Sequence, residues 1–407
     1  MKYSLSSSFR KAIQVEWGLL AALAVAGTVP ARADPIAYTL TVVAKTGDTI
    51  GGKTLTGFKQ PSFGANSPAI NAGGSVAFYA TYAEGDLIGE GIFTPASLVL
   101  KSGDSVNGQT VEGISFMPAV NDRGTVVVRG LLSSQGPAIL ASTTLLAKAG
   151  DKIAGQTLTS FGLPAINNAG TLAFVGSSPR GTGIFTQTAV LAKEGELIEG
   201  QTLTSFGPPA INDRGTVAFQ GWLSGKTATG IFTQSAVLVK VGDTIGGKTL
   251  TDLFFAPALN SSGTVAFTGV FSGGIGVFTQ HELLVQAGDT IGGRALTSFG
   301  SPVISDSGKV AFFSTFDGGA GIFTQTSPIA KTGDTIGGRT LIALGQPAIN
   351  NGGAVAFTVL FSDRSSAVIL ARPIMVSSKP GNEHPSLAIR LTRAEKVRAA
   401  GARLSHP

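Results

Sequence analysis

The 407-residue chain has no cysteine and only three histidines, of which His281 alone falls in the body of the sequence. Thiol nucleophiles and disulfides are therefore excluded, and no His/Cys set exists to hold a transition metal. A Ser-His-Asp triad would rest on His281, which opens the segment HELLVQ beside Glu282 and reads as a surface histidine. Charged residues make up 13%, about half of the usual share of roughly 25%. No helical period is found over residues 38–376. After the first 33 residues no apolar run approaches the roughly 18 residues of a membrane-spanning helix.

What is present begins with a short leader. Lys2, Arg10 and Lys11 form a basic start, Trp17 to Val29 is apolar, and Ala31-Arg32-Ala33 fits a small-x-small cleavage site before Asp34. Residues 1–33 thus have the pattern of a secretory signal peptide, which implies a mature protein in the periplasm or at the cell exterior. The formal charge of +6 sits at the two ends, because residues 34–378 carry a net −1. That distribution, with the exported address, excludes a nucleic-acid binder. Residues 379–407 form a separate basic tail after Pro380, Gly381 and Pro385. Its LAIRLTRAEKVRAAGARL stretch reads either as a solvated terminus or as a short amphipathic helix for a membrane or partner.

Between leader and tail the chain repeats. A Gly-Asp or Gly-Glu pair recurs at Gly47, Gly103, Gly150, Gly195, Gly242, Gly288 and Gly333, at intervals of 45 to 56 residues. Within each interval an Asn-x-x-Gly turn returns, from Asn71–Gly74 to Asn350–Gly353, with Ser305 in place of Asn in the sixth copy. The residues 201–240 show the unit: PPAIN, TVAFQG, GIFTQ and AVLVK are four short apolar runs. Asn caps the turn locally and Gly supplies its positive φ. In TVAF, Val and Phe point to one side and Ala to the other, a bulky face and a small face suited to stacked sheets.

A four-residue turn between the first two runs requires an antiparallel hairpin, whereas a β-solenoid joins parallel rungs. The expected fold is all-β: a seven-bladed β-propeller over residues 34–378, with four antiparallel strands in about 46 residues per blade. Eight segments compete for seven outer strands, because both Tyr38–Lys45 and Pro373–Val376 qualify. One of them should close the ring. The copies of N-x-x-G-x-[VL]-A-F resemble the bacterial exported tandem-repeat family named for its NxxGxxAF motif. LTSFGPPAINDRGTVAF is also similar, more distantly, to TolB-type propeller repeats. Neither resemblance implies a particular activity.

The candidate chemistry follows from where the repeat is regular and where it breaks. The acids Asp48, Asp104, Asp151, Glu196, Asp243, Asp289 and Asp334 should ring one face, with Lys53, Lys248, Arg294 and Arg339 nearby. Such a ring suits Ca²⁺ or sugar hydroxyls, or the acids simply cap their own turns. The first repeat is unusually long, and its loop YATYAEGDLIGEG carries Tyr79, Tyr82, Glu84, Asp86 and Glu90. With Trp222 in the fourth repeat, Tyr82, Glu84, Asp86 and Glu90 form the candidate ligand-binding set. The inner runs offer no acid, which argues against a facing carboxylate pair in the central channel. No catalytic residue and no obligatory cofactor emerge. The expectation is a monomeric, non-catalytic binding or scaffold module for a protein or glycan, against a carboxylate-dependent carbohydrate-active enzyme or a structural surface protein.

Overall fold

The computed structural model describes residues 37–374, except 59–66, 199 and 225–228. The expected signal peptide, the basic tail and residues 59–66 of the first repeat lie outside the described residues. Among the described residues every regular element is a strand, and the protein is a seven-bladed β-propeller. Among the described residues no helix is long and apolar enough to cross a membrane.

The fourth blade shows the plan. Its inner strand comprises Gln201–Phe206 and Ala210–Ile211, followed by Val217–Leu223, Thr229–Thr233 and the outer Val237–Lys240, each antiparallel to its neighbour. The inner strand is longer than the PPAIN run. It extends back through QTLTSF because Leu203 is buried while Thr204 is exposed, the alternation of a half-buried strand. Leu203 pairs with Leu223 and Phe206 with Gly221. Pro208 and Pro209, which have no N–H to donate, interrupt the ladder between the two halves.

The two faces of TVAF interdigitate as their sizes require. Val217 and Phe219 of the fourth blade pack on Ala173 of the third, and Val310 and Phe312 of the sixth on Ala266 of the fifth. Val76 and Phe78 of the first pack on Ala354 and Ala356 of the seventh. Each blade boundary therefore has its own apolar cluster. Within five blades the second-strand Phe also stacks on a third-strand Phe, as in Phe219–Phe232 at 6.0 Å.

The chain's first strand closes the ring. Ala37–Lys45 pairs antiparallel with Ser366–Ile374, from Ala37↔Ile374 to Lys45↔Ala367, and supplies the outer strand of the seventh blade. Of the rival candidate, residues 373–376, Pro373 and Ile374 lie instead within the third strand of that blade, and residues 375–376 lie outside the described residues. Thr46 N–H donates to the Ser366 carbonyl at 2.9 Å just beyond the paired segment.

The turn asparagines form a second closure around the axis. Each Asn Oδ1 accepts the N–H four residues on, at 2.9 Å for Asn212 and Thr216. Each Nδ2 donates to the main-chain carbonyl of the corresponding residue in the next blade: Asn71 to Asn121, Asn121 to Asn167, Asn167 to Asn212, Asn212 to Asn260, and Asn260 to Ser305. Asn350 donates to Asn71 at 3.1 Å and joins the last blade to the first. The relay breaks only after Ser305, whose short hydroxyl bonds its own turn at Lys309. All six asparagines and Ser305 are buried, so this polar ring is satisfied where water is excluded. From outside, the turns of blades three to six are clamped by a glutamine of the third-to-outer connection. Gln187, for example, accepts from Leu172 N–H and donates to the Gly170 carbonyl.

Candidate functional site

Every acid of the Gly-Asp series bonds the main chain of its own turn. Asp48 accepts the Lys45 N–H, Asp104 that of Lys101, Asp151 that of Lys148 and Glu196 that of Lys193. Asp243, Asp289 and Asp334 do the same with Lys240, Gln286 and Lys331. The second carboxylate oxygen pairs with a lysine side chain in five blades: Lys45, Lys101, Lys148, Lys240 and Lys331. This arrangement caps seven turns and distributes the acids around the ring. Among the described residues no three His, Cys, Asp or Glu side chains come close enough to hold a metal ion. The neighbouring cations cover aromatic rings at the ends of the second strands: Lys53 over Tyr82, Lys248 over Phe271, Arg294 over Phe316 and Arg339 over Phe361, at 4.9 to 5.8 Å.

The YATYAEGDLIGEG segment is not a loop but two long strands, Val76–Glu84 and Leu87–Phe93, joined by the two-residue turn Gly85-Asp86. Gly85 has φ +61°, the positive value such a turn needs at its first central residue. The alternation V-A-F-Y-A-T-Y continues past VAF, and this keeps the chain in strand form. Consequently Tyr82 is 0% exposed, packed edge-on to Phe93 with Lys53 across its ring. Tyr79 is also buried and lies edge-on to Phe116 of the second blade. The hairpin tip itself is apolar: Leu87 is 76% and Ile88 71% exposed, with Asp86 and Glu90 exposed beside them. Glu84 forms an ion pair with Lys53 at 2.6 Å. Trp222, 38% exposed, is the penultimate residue of the second strand of the fourth blade, so two complete blades separate it from the hairpin.

Electrostatics follow from these contacts. The hydrogen bond from Lys53 holds the Glu84 carboxyl below its usual range. Burial pushes the Tyr38 hydroxyl up to about 12. Burial and then the Glu84 charge push Tyr82 to about 12, and burial with the Glu90 carboxylate raises Tyr79 as well. A folded-state pKa above the unfolded value of about 10 gives stability that is complete below pH 10 and falls as pH rises towards 12. Alkaline titration followed at 295 nm should therefore show these tyrosines ionising late, together with the loss of the native circular dichroism signal.

The mouth of the central channel departs from the sequence expectation. Carboxylates do reach it, contributed by the second residue of the turns rather than by the inner strands. Asp122 accepts the Ala72 N–H at 2.6 Å, Asp213 that of Asn168 at 2.8 Å, and Asp306 that of Ser261 at 2.7 Å. The Asn168 amide also donates to both Asp122 and Asp213 at 2.7 Å. These residues border a polar cavity of about 180 Å³ to which all seven blades contribute. The signal was the aspartate in NDRG, NDRG and SDSG. The hydrogen bonds run from blade to blade, so the acids extend the asparagine relay.

Comparison with curated proteins found no match. Solved structures similar to this chain include a prolyl endopeptidase, at 12% identity and TM-score 0.44, covering 78% of this chain and 51% of that one. Virginiamycin B lyase from Staphylococcus aureus matches at 12% identity and TM-score 0.32, over 64% of this chain and 84% of that one. PorZ, a bacterial surface component of the type-IX secretion system of Porphyromonas gingivalis, matches at 13% identity and TM-score 0.41, over 77% and 48%. The chain spans about half the length of the prolyl endopeptidase and of PorZ. Residues 32–273 and 140–388 match the profile described as a family of unknown function, DUF7453, and the chain belongs to that family.

Proposed function

We propose that this chain is an exported, monomeric, non-catalytic binding module of the NxxGxxAF repeat type, which contacts a protein partner through the first blade's projecting hairpin. The observation that carries the reading is the adjacent pair Leu87 and Ile88, 76% and 71% exposed at a rigid two-residue turn. Two large apolar side chains standing in water form a patch that a partner can cover, and because the strand pair already orders the backbone, the ordering cost falls mainly on the side chains. A protein is favoured over a glycan because the aromatic rings of this hairpin, Tyr79 and Tyr82, are buried rather than presented for stacking on a sugar. Carbohydrate hydrolysis is disfavoured because Glu84 is held in an ion pair with Lys53 at 2.6 Å rather than left free to serve as a general acid. The proposal requires no cofactor, and it places the mature protein in the periplasm or at the cell surface on the strength of residues 1–33.

The test replaces the adjacent exposed Asp86 by a photo-crosslinking amino acid and captures partners from the native cell envelope. A discrete protein product from the wild-type hairpin, lost with Leu87→Ser/Ile88→Ser, is the expected result. That variant should keep its unfolding midpoint, since exposed substitutions change stability by about 0.5 kcal/mol or less. Equal capture by the double variant would remove the hairpin from the interface. A midpoint rise with polysaccharide fragments that is abolished by Trp222→Ala would support the glycan reading instead. A Ca²⁺-dependent rise would point to the turn acids.

A further inference from the structure

We propose that the seam between the second and third blades is a binding site for a small carboxylate with an apolar body. The inference is independent of the hairpin and rests on three departures from the repeat that meet in one cavity.

The first departure is Ser115. In the third, fourth, sixth and seventh blades the corresponding residue is glycine: Gly162, Gly207, Gly300 and Gly345 each donate their N–H to the second strand. A Cβ at Gly300 would collide with the Gln346 amide, and at Gly162 or Gly207 it would lie 3.1 or 3.3 Å from the opposing side chain. Blade two keeps the main-chain bond, Ser115 N–H to Arg129 carbonyl at 2.8 Å, yet carries a side chain there. Its Oγ is buried with no hydrogen-bond partner. A buried hydroxyl left in this way has lost its water without compensation.

The second departure is one of length. Between the bonding residue and the final Ala of the inner strand, blade two has Phe116, Met117 and Pro118, where blade four has Pro208 and Pro209. The third is Arg129. At its position in the fourth and fifth blades, Gln220 and Thr268 reach across the seam to the Leu253 and Gly300 carbonyls, both at 2.7 Å. Arg129 makes no such bond, and among the described residues its guanidinium has no carboxylate partner. The seam stays open as a cavity of about 540 Å³, walled by Phe116, Met117 and Leu131 on one side and Leu163 on the other. That volume is in the range of small-molecule sites, roughly 300–1,000 Å³.

The chemistry selects the ligand. A guanidinium fork matches a carboxylate through two parallel N–H···O bonds, and the Ser115 hydroxyl is available as a further donor. The apolar walls favour a hydrocarbon body, and a single cation favours a single negative charge. A fatty acid and an aryl-alkanoic acid share these features.

Calorimetry on the full mature chain with monomeric decanoate, 4-phenylbutyrate, 1-decanol and acetate tests the site. Binding of decanoate or of 4-phenylbutyrate is expected, and the tighter of the two identifies a straight-chain or an aromatic body. Acetate and decanol should bind at least about tenfold more weakly, the scale of a lost charge-assisted pair or of the lost apolar contact. Arg129→Gln should weaken the carboxylate by a similar factor, Ser115→Gly by less, and Leu131→Trp should block the cavity, each in a variant that still unfolds in one cooperative transition. Absence of carboxylate binding by the folded wild type, equal affinity in Arg129→Gln, or decanol binding as tightly as decanoate would each overturn the proposal.

Discussion

A chain that starts at Thr46 is expected not to fold cooperatively, whereas one that starts at Asp34 is. Ala37–Lys45 provides eight registered pairs with Ser366–Ile374. Each net hydrogen bond contributes about 0.5–1.5 kcal/mol, so the strand as a whole supplies several kcal/mol. That is comparable to the entire stability of a typical domain, about 5–15 kcal/mol. Its removal also strips Tyr38 and Ala44 from the apolar clusters on the two sides of the seventh blade. The Ser366–Ile374 strand would become a bare edge, able to pair with a second molecule. Circular dichroism on heating and gel filtration distinguish the outcomes: a sharp transition from a monomer for the longer chain, aggregated or uncooperative material for the shorter.

Asn212→Ala should destabilise by about 2–4 kcal/mol, more than the loss of one local turn bond. The side chain accepts from Arg214 and Thr216 within its own turn and donates to Asn260 of the next blade at 3.0 Å. Alanine therefore leaves groups unsatisfied on both sides of a buried boundary. Asn212→Ser should cost less than alanine, by about 1 kcal/mol, because Ser305 shows that a hydroxyl can hold the turn without reaching the next blade. In the opposite direction, Ser305→Asn should stabilise by about 1 kcal/mol by supplying the one missing donor of the relay, aimed at the Asn350 carbonyl. Chemical denaturation with unchanged m-values measures all three.

These results separate what was legible in the sequence from what was not. The repeat length, the turn residues and the two-faced TVAF strands are local patterns, and each reappears in the fold. The turn role of Asn212 was readable because its acceptor lies four residues away. Its donor role was not, since Asn260 enters only when neighbouring blades are in place. The same limit applies to closure: Tyr38–Lys45 and Pro373–Val376 have similar composition, and only three-dimensional pairing decides between them. Tyr82 stands out in the sequence because it lies where the first repeat breaks the pattern, yet its alternation with Phe78 and Ala80 is itself the sign of a buried strand position. Ser115 and Arg129 drew no attention because each is ordinary by itself. Their significance depends on the glycine and the neutral side chains that occupy those positions elsewhere in the ring.

Closure by the first strand is the central structural claim, and the absence of native cysteine allows a direct measurement. Thr39 and Arg372 are paired across the ring seam. In Thr39→Cys/Arg372→Cys the only available disulfide would join them. Mild oxidation should consume both thiols, shift mobility on a non-reducing gel and raise the unfolding midpoint, because the bond would close a loop of most of the chain. Two thiols that remain freely reactive in the folded, oxidised protein would contradict closure by this strand.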